Sequence, residues 1–465
     1  MTGIRKVLIA NRGEIALRVL RACKDLGIDS VVAYSESDRD SLAVRLAKEA
    51  VCIGPATVSK SYTNAPALIS AALVTGCDAL HPGYGFLSEN PYLADMCQQV
   101  GITFVGPSSE VIAKMGDKAE ARQIMRNAGV PTVPGSDGIV RDVTEAKTAI
   151  RKIGYPVLIK AVAGGGGRGM RIAGNDAELA RYLPLAQSEA ESAFGAGDVY
   201  LERFVDRPRH VEVQILADTH GQVMAIGERD CSLQRRHQKI VEEAPAPNLN
   251  RKLRDNLFRA AVKGAKAVGY QNAGTLEFLV DSQGNYYFME MNTRIQVEHP
   301  ITEEVTGIDL VAWQLLIAAG DHLKLEQRSL EPKGHAIECR INAEDPAADF
   351  RPVAGTVEYY VAPGGPGVRV DSHLYSGYRV PSDYDSMLGK IIARGANRDQ
   401  AITRMDRALS ELVVQGIPTS AAFLRMLVTD ERFRRGEVHT SFVSEFLTRN
   451  AALVSTVLDN PSGSA

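Results

Sequence analysis

Two glutamates and an asparagine near the middle of the chain are spaced so that they could bind a cation together. Glu277 and Glu290 lie in short apolar-rich segments on either side of a turn-forming sequence at residues 281–285, a pattern typical of a β-hairpin. The hairpin places Glu277 opposite Glu290, and Asn292 points to the same side as Glu290 because side chains alternate along a strand. Two facing carboxylates repel each other, whereas Mg²⁺ or Mn²⁺ held by oxygen ligands would satisfy them. A hairpin with a solvated acidic face is the alternative.

Further ionisable residues follow the second segment of this hairpin directly. Arg294 and Glu298 supply a cation and a possible base, and His299 and Pro300 come next. This density of polar groups after Met291 favours a reaction site over a solvated surface.

A glycine-rich loop follows a predicted strand at residues 155–161, near the end of which lies Lys160. Residues 164–167 are four consecutive glycines, and Arg168 comes after them. Glycine costs conformational entropy and has no side chain to pack, but it lets backbone N–H groups approach an anion closely. Because Lys160 and Arg168 add positive charge on both sides, we interpret the segment as a phosphate-binding loop, with a flexible linker as the alternative. It lacks the P-loop pattern GxxxxGK[ST].

Three more polar segments are candidates for binding, each with a plainer alternative. Residues 81–90 form a glycine-broken loop after a predicted parallel strand, which is either part of a ligand crevice or an ordinary surface loop. Residues 228–239 hold five cationic or imidazole side chains, a composition that usually indicates a solvated basic face. Arg340 projects from the polar side of an alternating strand at residues 335–342, and a surface salt bridge with Glu338 is its alternative.

The elements that must position these residues begin with a β-α-β unit. Residues 6–10 and 30–34 are short apolar strands, and residues 14–26 between them carry apolar residues close to helical spacing. This order predicts a parallel sheet of nucleotide-fold type. The connecting turn lacks GxGxxG, which disfavours a dinucleotide site. Turn-rich sequences at residues 131–137 and 331–334 predict domain boundaries.

The composition is that of a globular protein with more than one core. The 465 residues are 45% hydrophobic and 23% charged, so two or three domains are expected. The net charge of −3 disfavours a general nucleic-acid or membrane-surface binder, and we find no signal-peptide layout or membrane-spanning run. Six scattered cysteines without a CxxC pair predict reduced thiols in a cytoplasmic protein.

Together these features predict an ATP-dependent phosphoryl-transfer site. In such sites the protein mainly positions groups, while metals and cations carry the developing charge. Because Walker and kinase signatures are both missing from the sequence, a ligase- or carboxylase-type site is indicated. Composition and spacing name no substrate.

The same segments resemble the biotin carboxylase family of the ATP-grasp superfamily over nearly the whole chain. The matching segments are IANRGEIALR (9–18), HPGYGFLSEN (81–90), MGDK (115–118), GGGGRGM (164–170), ERDCSLQRRHQK (228–239), EMNTRIQVEHP (290–300), ECRINAEDP (338–346) and YDSM (384–387). The resemblance implies an α/β and α+β fold of three domains. These are a Rossmann-like N-terminal domain (1–114), an ATP-grasp domain (115–334) with a mobile lid at residues 131–204, and a barrel-like C-terminal domain (335–447) before a tail (448–465).

The resemblance also implies a reaction and its partners. Bicarbonate and ATP form carboxyphosphate, and the CO₂ that it yields carboxylates N1 of biotin on a partner protein. The implied cofactors are ATP and two Mg²⁺ or Mn²⁺ ions. The implied partners are a biotin carboxyl carrier protein, carboxyltransferase subunits and a second copy of the chain, with no nucleic acid or membrane. A separate carrier is expected because the sequence has no Met-Lys-Met biotinyl signature.

The leading interpretation is the biotin carboxylase subunit of acetyl-CoA carboxylase. The same subunit serving propionyl-CoA, pyruvate or another acceptor is an alternative, since this chain never touches the acceptor. A catalytically inactive, nucleotide-binding homologue is another, and the intact Glu298, Arg340 and Lys239 argue against it.

By motif, the resemblance assigns roles to individual residues. Glu298 is the general base for bicarbonate, Arg340 stabilises the biotin enolate, and Tyr84 also lies at biotin. Lys239 and Arg294 complete the catalytic set. The metal ligands are Glu277, Glu290 and Asn292, and the bicarbonate site consists of Lys239, Arg294, Gln296, Val297 and Glu298. The ATP site consists of Lys118, Lys160, Gly166, Gly167, Glu202, Arg203, Phe204, Val205, His210, Gln234, His237, Leu279, Glu277 and Glu290. Many relatives have lysine where this chain has Arg203, and we expect at most a modest change in ATP affinity.

Overall fold

The computed structural model describes residues 3–162, 170–326 and 330–451, and its first unit is a five-stranded parallel sheet. The strands run in the order β3-β2-β1-β4-β5, and helices connect them in the way the β-α-β pattern predicts. Short apolar runs such as KVLI of the first strand are buried because helices cover both faces of the sheet. The elements are β1 (Lys6–Ile9), α1 (Gly13–Asp25), β2 (Asp29–Ser35), α2 (Leu42–Leu46), β3 (Glu49–Gly54), α3 (Ala65–Val74), β4 (Ala79–His81), α4 (Pro91–Gln99), β5 (Thr103–Phe104) and α5 (Ser109–Gly116).

The strand order of this sheet reverses between β1 and β4, and the loops after these two strands meet there. Asn11 Nδ2 donates hydrogen bonds to the carbonyls of Pro82, at 2.7 Å, and Tyr84, at 2.8 Å. Gly83 has a φ of +62°, and a Cβ there would lie 2.8 Å from Asn11 Nδ2, so the approach requires glycine. The loop at residues 81–90 is therefore fixed at the crevice where ligands of open α/β sheets bind.

A small three-stranded sheet with its own core follows. Its strands run in the order β7-β6-β8, and Ala146, Leu183 and Val199 lie in its buried apolar cluster. The glycine run, with Gly166 and Gly167, falls outside the described residues. The elements are α6 (Lys118–Asn127), α7 (Val143–Ile153), β6 (Val157–Ala161), β7 (Arg171–Ala173), α8 (Asp176–Phe194) and β8 (Val199–Arg203).

An eight-stranded antiparallel sheet forms the centre of the molecule, in the order β13-β12-β9-β10-β11-β14-β21-β19. Strands β11 and β14 pair across the predicted boundary at residues 331–334, so one sheet continues from the middle of the chain into its C-terminal part. The strands after β8 are β9 (Arg209–Ala217), β10 (Val223–Arg235), β11 (Gln238–Ala244), β12 (Asn272–Val280), β13 (Tyr286–Asn292), β14 (His335–Asn342), β15 (Glu344–Asp345), β16 (Arg351–Pro352), β17 (Gly355–Thr356), β18 (Tyr359–Val361), β19 (Val368–Ser372), β20 (Arg379–Val380), β21 (Met387–Gly395) and β22 (Val413–Gln415).

Helices pack on this sheet and close the fold. Helix α9 packs on β9 and β10, whereas α12 packs on β14 and β21, so the two helices cover different parts of the sheet. The helices are α9 (Arg251–Ala267), α10 (His299–Thr306), α11 (Leu310–Ala318), α12 (Arg398–Glu411), α13 (Ala421–Thr429), α14 (Glu431–Arg434) and α15 (Phe442–Arg449). Among the residues that the structure describes, no helix combines the length and the apolar character needed to cross a bilayer.

Candidate active site

The predicted hairpin is present, and its register brings the three metal-ligand candidates together. Glu277 pairs with Glu290 across β12 and β13, and Asn292 Nδ2 donates to Glu277 Oε1 at 2.9 Å. The turn forms because the Asp281 carboxylate accepts the backbone N–H groups of Gln283 and Asn285. Glu277 is buried and Glu290 is half-buried, so the alternative of a solvated acidic face is wrong.

The electrostatics of this carboxylate pair fit a divalent cation. Burial raises the pKa of Glu290, and the charge of Glu277 raises it further. Burial also opposes ionisation of Glu277, but Lys239 and His210 outweigh it and lower the pKa of Glu277. Lys118, Lys239 and His210 offset only part of these effects at Glu290, and a magnesium ion between these oxygen donors would provide the rest.

A second group of possible metal ligands, His210, Glu212 and Glu277, has donor atoms within 4.8 Å of one another. Lys239 Nζ already lies 2.6 Å from Glu212 and 2.8 Å from Glu277. The Lys239 ammonium thus occupies the position between these carboxylates that a metal ion would otherwise take. The Glu290 side of Glu277 is therefore where a metal ion would fit.

Lys239 is the centre of a buried carboxylate cluster. Its Nζ also donates to Glu298 Oε1 at 2.7 Å, while the lysine side chain is 13% exposed and all three carboxylates are at most 4% exposed. The pKa of Lys239 is held well above its ordinary value because the attraction of three carboxylates exceeds the effect of burial. One cation therefore joins the predicted metal ligand to the predicted base.

Arg340 approaches the same base from β14. Its Nη2 donates to Glu298 Oε2 at 2.9 Å, and its Nε donates to Glu242 Oε1 at 2.6 Å. Glu338 is fully buried and neither of its carboxylate oxygens accepts a hydrogen bond, so the predicted alternative of a surface salt bridge with Arg340 is wrong. Glu242 on the adjacent strand and Glu298 meet the guanidinium instead. Burial raises the pKa of Glu338 well above its ordinary value, and the facing Glu242 carboxylate raises it further.

Glu298 is thereby held ionised. Burial opposes its charge, but Lys239, Arg340 and Arg229 outweigh burial and hold the pKa of Glu298 well below its ordinary value. Its backbone lies at the N-cap position of α10, where the positive end of the helix dipole also favours a carboxylate.

The loop between β13 and α10 carries the remaining bicarbonate candidates. Arg294 donates to Glu89 Oε2 at 3.0 Å, Asn292 Oδ1 at 3.1 Å and Gln296 Oε1 at 3.3 Å. Burial lowers the pKa of Arg294, but the attraction of Glu89 and the other carboxylates is larger, so the pKa of Arg294 is raised. The orientation of the Arg294 guanidinium is thus fixed by the metal-ligand candidate Asn292 and by Glu89 of the loop at residues 81–90.

Most nucleotide candidates lie around the junction of the small and the large sheet. Lys160 Nζ contacts Glu202 Oε2 at 2.7 Å, and Arg203 donates to the Tyr287 hydroxyl at 2.6 Å. His210 Nε2 lies 2.9 Å from Glu277 Oε2. The structure places the others as follows: Leu279 opposite His210 on the neighbouring strand, Gln234 against His210 Nδ1, Lys118 in electrostatic contact with Glu290, and Phe204 and Val205 half-buried after β8.

The predicted basic face at residues 228–239 is mostly a buried hairpin of β10 and β11. Its tip carries positive φ angles at Arg236 and His237, and both side chains are exposed there. Arg229 is fully buried and donates to Glu212, Gln214, Thr302 and Thr275. The interpretation as a solvated face is wrong for Arg229 and Lys239. The structure does not bring His237 to the carboxylate cluster.

Four residues of the site were missed by sequence reasoning. Alternation in HVEVQIL placed Glu212 beside His210, so a signal for Glu212 existed. Arg229, Glu242 and Lys390 lie in strands β10, β11 and β21, and their importance depends on partners far away in the sequence.

Comparisons with known families match successive parts of the chain. The model described as "Biotin carboxylase, N-terminal domain" matches residues 3–112, and "Carbamoyl-phosphate synthase L chain, ATP binding domain" matches residues 117–326. "Biotin carboxylase C-terminal domain" matches residues 338–445.

Individual proteins are similar along nearly their full length. A biotin carboxylase of Nostoc sp. is 54% identical over 440 residues, which make up 95% of this chain and 98% of that protein. The crystal structure of a biotin carboxylase–βγ-ATP complex from Campylobacter jejuni has a TM-score of 0.92 at 47% identity, covering 95% of this chain and 99% of that one. The biotin carboxylase domain dimer of the Hydrogenobacter thermophilus 2-oxoglutarate carboxylase, in complex with MgADP, ADP and bicarbonate, has a TM-score of 0.91 at 48% identity, covering 98% and 99%.

Proposed function

The chain belongs to the biotin carboxylase family, and from this premise we propose how its own residues carry out ATP- and bicarbonate-dependent carboxylation of biotin. It is a ligase that uses ATP and Mg²⁺ and accepts biotin on a carrier. The observation that carries our assignment of roles is the position of Glu298. Its two carboxylate oxygens contact Lys239 and Arg340, and Lys239 also contacts the metal-ligand candidate Glu277.

Glu298 takes the proton of bicarbonate. Its low pKa keeps it ionised, and reach and orientation matter more here than a close pKa match. Lys239 and Arg294 attract the bicarbonate anion, and they contact Glu298 and Gln296 of the same turn, respectively. When bicarbonate enters, we expect it to take over part of the coordination of Lys239 that Glu212 and Glu298 now supply.

The deprotonated bicarbonate attacks the γ-phosphorus of ATP, and carboxyphosphate and ADP form. Lys118 and Lys160 hold the phosphates, and Lys160 must first leave its contact with Glu202. Glu277, Glu290 and Asn292 would hold the magnesium, which when bound would neutralise phosphate charge. By the family resemblance, Gly166 and Gly167 also belong to the ATP site. Carboxyphosphate then yields CO₂ and phosphate. The released phosphate takes the proton of biotin N1, and N1 of the resulting enolate attacks the CO₂.

Arg340 stabilises the enolate oxygen of biotin. Its guanidinium stays charged because Glu242 and Glu298 attract it more than burial opposes it. A planar, permanently charged group suits that oxygen. Tyr84 approaches from the N-terminal sheet, where its hydroxyl donates to Glu14.

The assembly around the enzyme is also part of the proposal. We infer a separate biotin carboxyl carrier protein, carboxyltransferase subunits and a homodimer. The dimeric biotin carboxylase domain from Hydrogenobacter thermophilus supports the inference of a homodimer. Acetyl-CoA is the proposed final acceptor, with propionyl-CoA, pyruvate or another acceptor as the alternative. The six free cysteines suit a cytoplasmic location.

The test is ADP release by the purified chain with Mg·ATP, with and without bicarbonate and with and without free biotin. Bicarbonate-dependent turnover that biotin stimulates is expected. Glu298→Gln should keep Mg·ATP binding and lose this turnover, while Glu431→Gln, at an exposed position of α14, should match the wild type. Nucleotide binding without turnover in the wild type would establish an inactive homologue, and full turnover by Glu298→Gln would refute the assignment of the base.

A further inference from the structure

Lys390 is a fully buried cation that none of the proposed roles uses. It lies on β21 with 0% exposure. Its Nζ donates to the carbonyl oxygen of Val297 at 2.7 Å and lies 3.0 Å from Glu14 Oε1. Burying an ammonium costs several kcal/mol unless it is well paired, so a lysine at this position has to be offset by these contacts.

The position of Lys390 in the sheet adds a second cost. It is the direct cross-strand partner of Arg340, and like charges directly opposite each other destabilise a sheet. The carboxylates around the two cations offset this repulsion: Glu242 and Glu298 meet the arginine, and Glu14 meets the lysine. An apolar residue on β21 would avoid both costs, which indicates that the ammonium has a use.

The two opposed cations act on adjacent parts of one turn. Arg340 contacts the Glu298 carboxylate, whereas Lys390 contacts the backbone carbonyl of the preceding residue, Val297. The turn itself is short: His299 Nδ1 lies 2.8 Å from the Gln296 carbonyl oxygen. The bond from Lys390 to the Val297 carbonyl is therefore a direct constraint on the backbone that presents Glu298.

The anchor of Lys390 comes from the N-terminal sheet. Glu14, at the start of α1, is buried and accepts hydrogen bonds from the Tyr84 hydroxyl as well. The contacts from Tyr84 through Glu14 and Lys390 to Val297 thus join four parts of the chain that are distant in sequence.

We propose that Lys390 is a positioning residue that holds the Val297 carbonyl, and through it Glu298, in the geometry needed for bicarbonate. It touches no reactant itself. The inference rests on the proposed role of Glu298. It implies that loss of Lys390 impairs the use of bicarbonate selectively and leaves nucleotide binding intact.

The test compares Lys390→Met, which keeps the length of the side chain but removes the ammonium, with the wild type. Losing one charged hydrogen bond to the turn should lower kcat/KM for bicarbonate about 10- to 100-fold. MgADP affinity and KM for ATP should stay within about twofold of the wild type. Lys252→Met, which removes an exposed lysine from α9, is the matched control and should behave like the wild type.

The outcomes separate this inference from the proposed function. A wild type without bicarbonate-dependent turnover would overturn the proposed function and this inference with it. An active wild type and a Lys390→Met enzyme with unchanged kcat/KM for bicarbonate would overturn only the positioning role, as would an equal loss in nucleotide binding and bicarbonate use. If Lys390→Met fails to fold, Glu14→Gln decides. It keeps the lysine but removes its anionic anchor, so a smaller, still bicarbonate-selective loss is expected, and an unchanged kcat/KM for bicarbonate would refute the proposal.

Discussion

Replacing Lys239 by methionine removes one cation from three buried carboxylates. Its Nζ lies between 2.6 and 2.8 Å from oxygens of Glu212, Glu277 and Glu298. Breaking a buried ion pair by removing one partner typically costs about 3–5 kcal/mol, because the remaining charge stays buried without compensation.

We expect a loss in the lower half of that range from Lys239→Met. Each carboxylate keeps one other cationic or imidazole neighbour: Arg229 for Glu212, His210 for Glu277 and Arg340 for Glu298. A loss of about 3–4 kcal/mol is still a large share of the roughly 5–15 kcal/mol by which folded proteins are stable.

The assay is denaturant unfolding at pH 7, followed by the fluorescence of Trp313, the single tryptophan of the chain. A chelator must be present throughout, since a divalent cation could replace the ammonium between the carboxylates. The control is Lys252→Met, whose exposed side chain on α9 should leave the unfolding midpoint unchanged.

A double-mutant cycle shows whether charge is the cause. In the wild type, Glu298→Gln deprives Lys239 of a partner and destabilises the protein. In the Lys239→Met protein the same change removes an uncompensated anion, so it should cost less or even stabilise. We expect a coupling of about 1.5–3 kcal/mol. Additive effects of the two substitutions, within about 0.5 kcal/mol, would refute the view that Lys239 compensates Glu298.

Three further predictions concern the metal site, acid stability and the glycine loop. In calorimetry, Glu290→Gln should weaken ADP binding about tenfold or more when Mg²⁺ is present and leave ADP binding unchanged when a chelator is present. An equal loss of ADP affinity under the two conditions would argue against Glu290 as a metal ligand. Burial lowers the pKa of His81 to about 4, so the unfolded chain, with an ordinary histidine pKa of about 6.5, binds the extra proton as the pH falls. Lowering the pH from 7 to 5 should therefore reduce the free energy of unfolding of the wild type by about 2 kcal/mol more than that of His81→Gln. An equal loss of unfolding free energy in the two proteins over this pH range would contradict the prediction. Gly166→Val should raise KM for ATP without moving the unfolding midpoint, and unchanged nucleotide kinetics would support a linker.

Local patterns in the sequence predicted the elements and the hairpin. Alternation and the turn at residues 281–285 placed Glu277 opposite Glu290, because a tight turn sets the register of the strands that it joins. Motif resemblance supplied the family and the identities of Glu298 and Arg340. These inferences depend on residues close together in sequence or on recurring segments, and both can be read from one chain.

The environment of those residues was decided only by tertiary structure. Residues 228–239 looked like a solvated basic face, since their composition does not reveal that the strands lie in the middle of an eight-stranded sheet. Arg340 and Glu338 looked like partners, but pairing of β11 with β14 brought Glu242 to the arginine.

The sequence by itself thus determined the residue types, the local elements and the family. Tertiary structure decided which charges meet: Lys239 with three carboxylates, Arg340 with Glu298, and Lys390 with the Val297 carbonyl. The physical reason is that a charge in a protein interior requires compensation from neighbours, and those neighbours come from strands that are far apart in the chain.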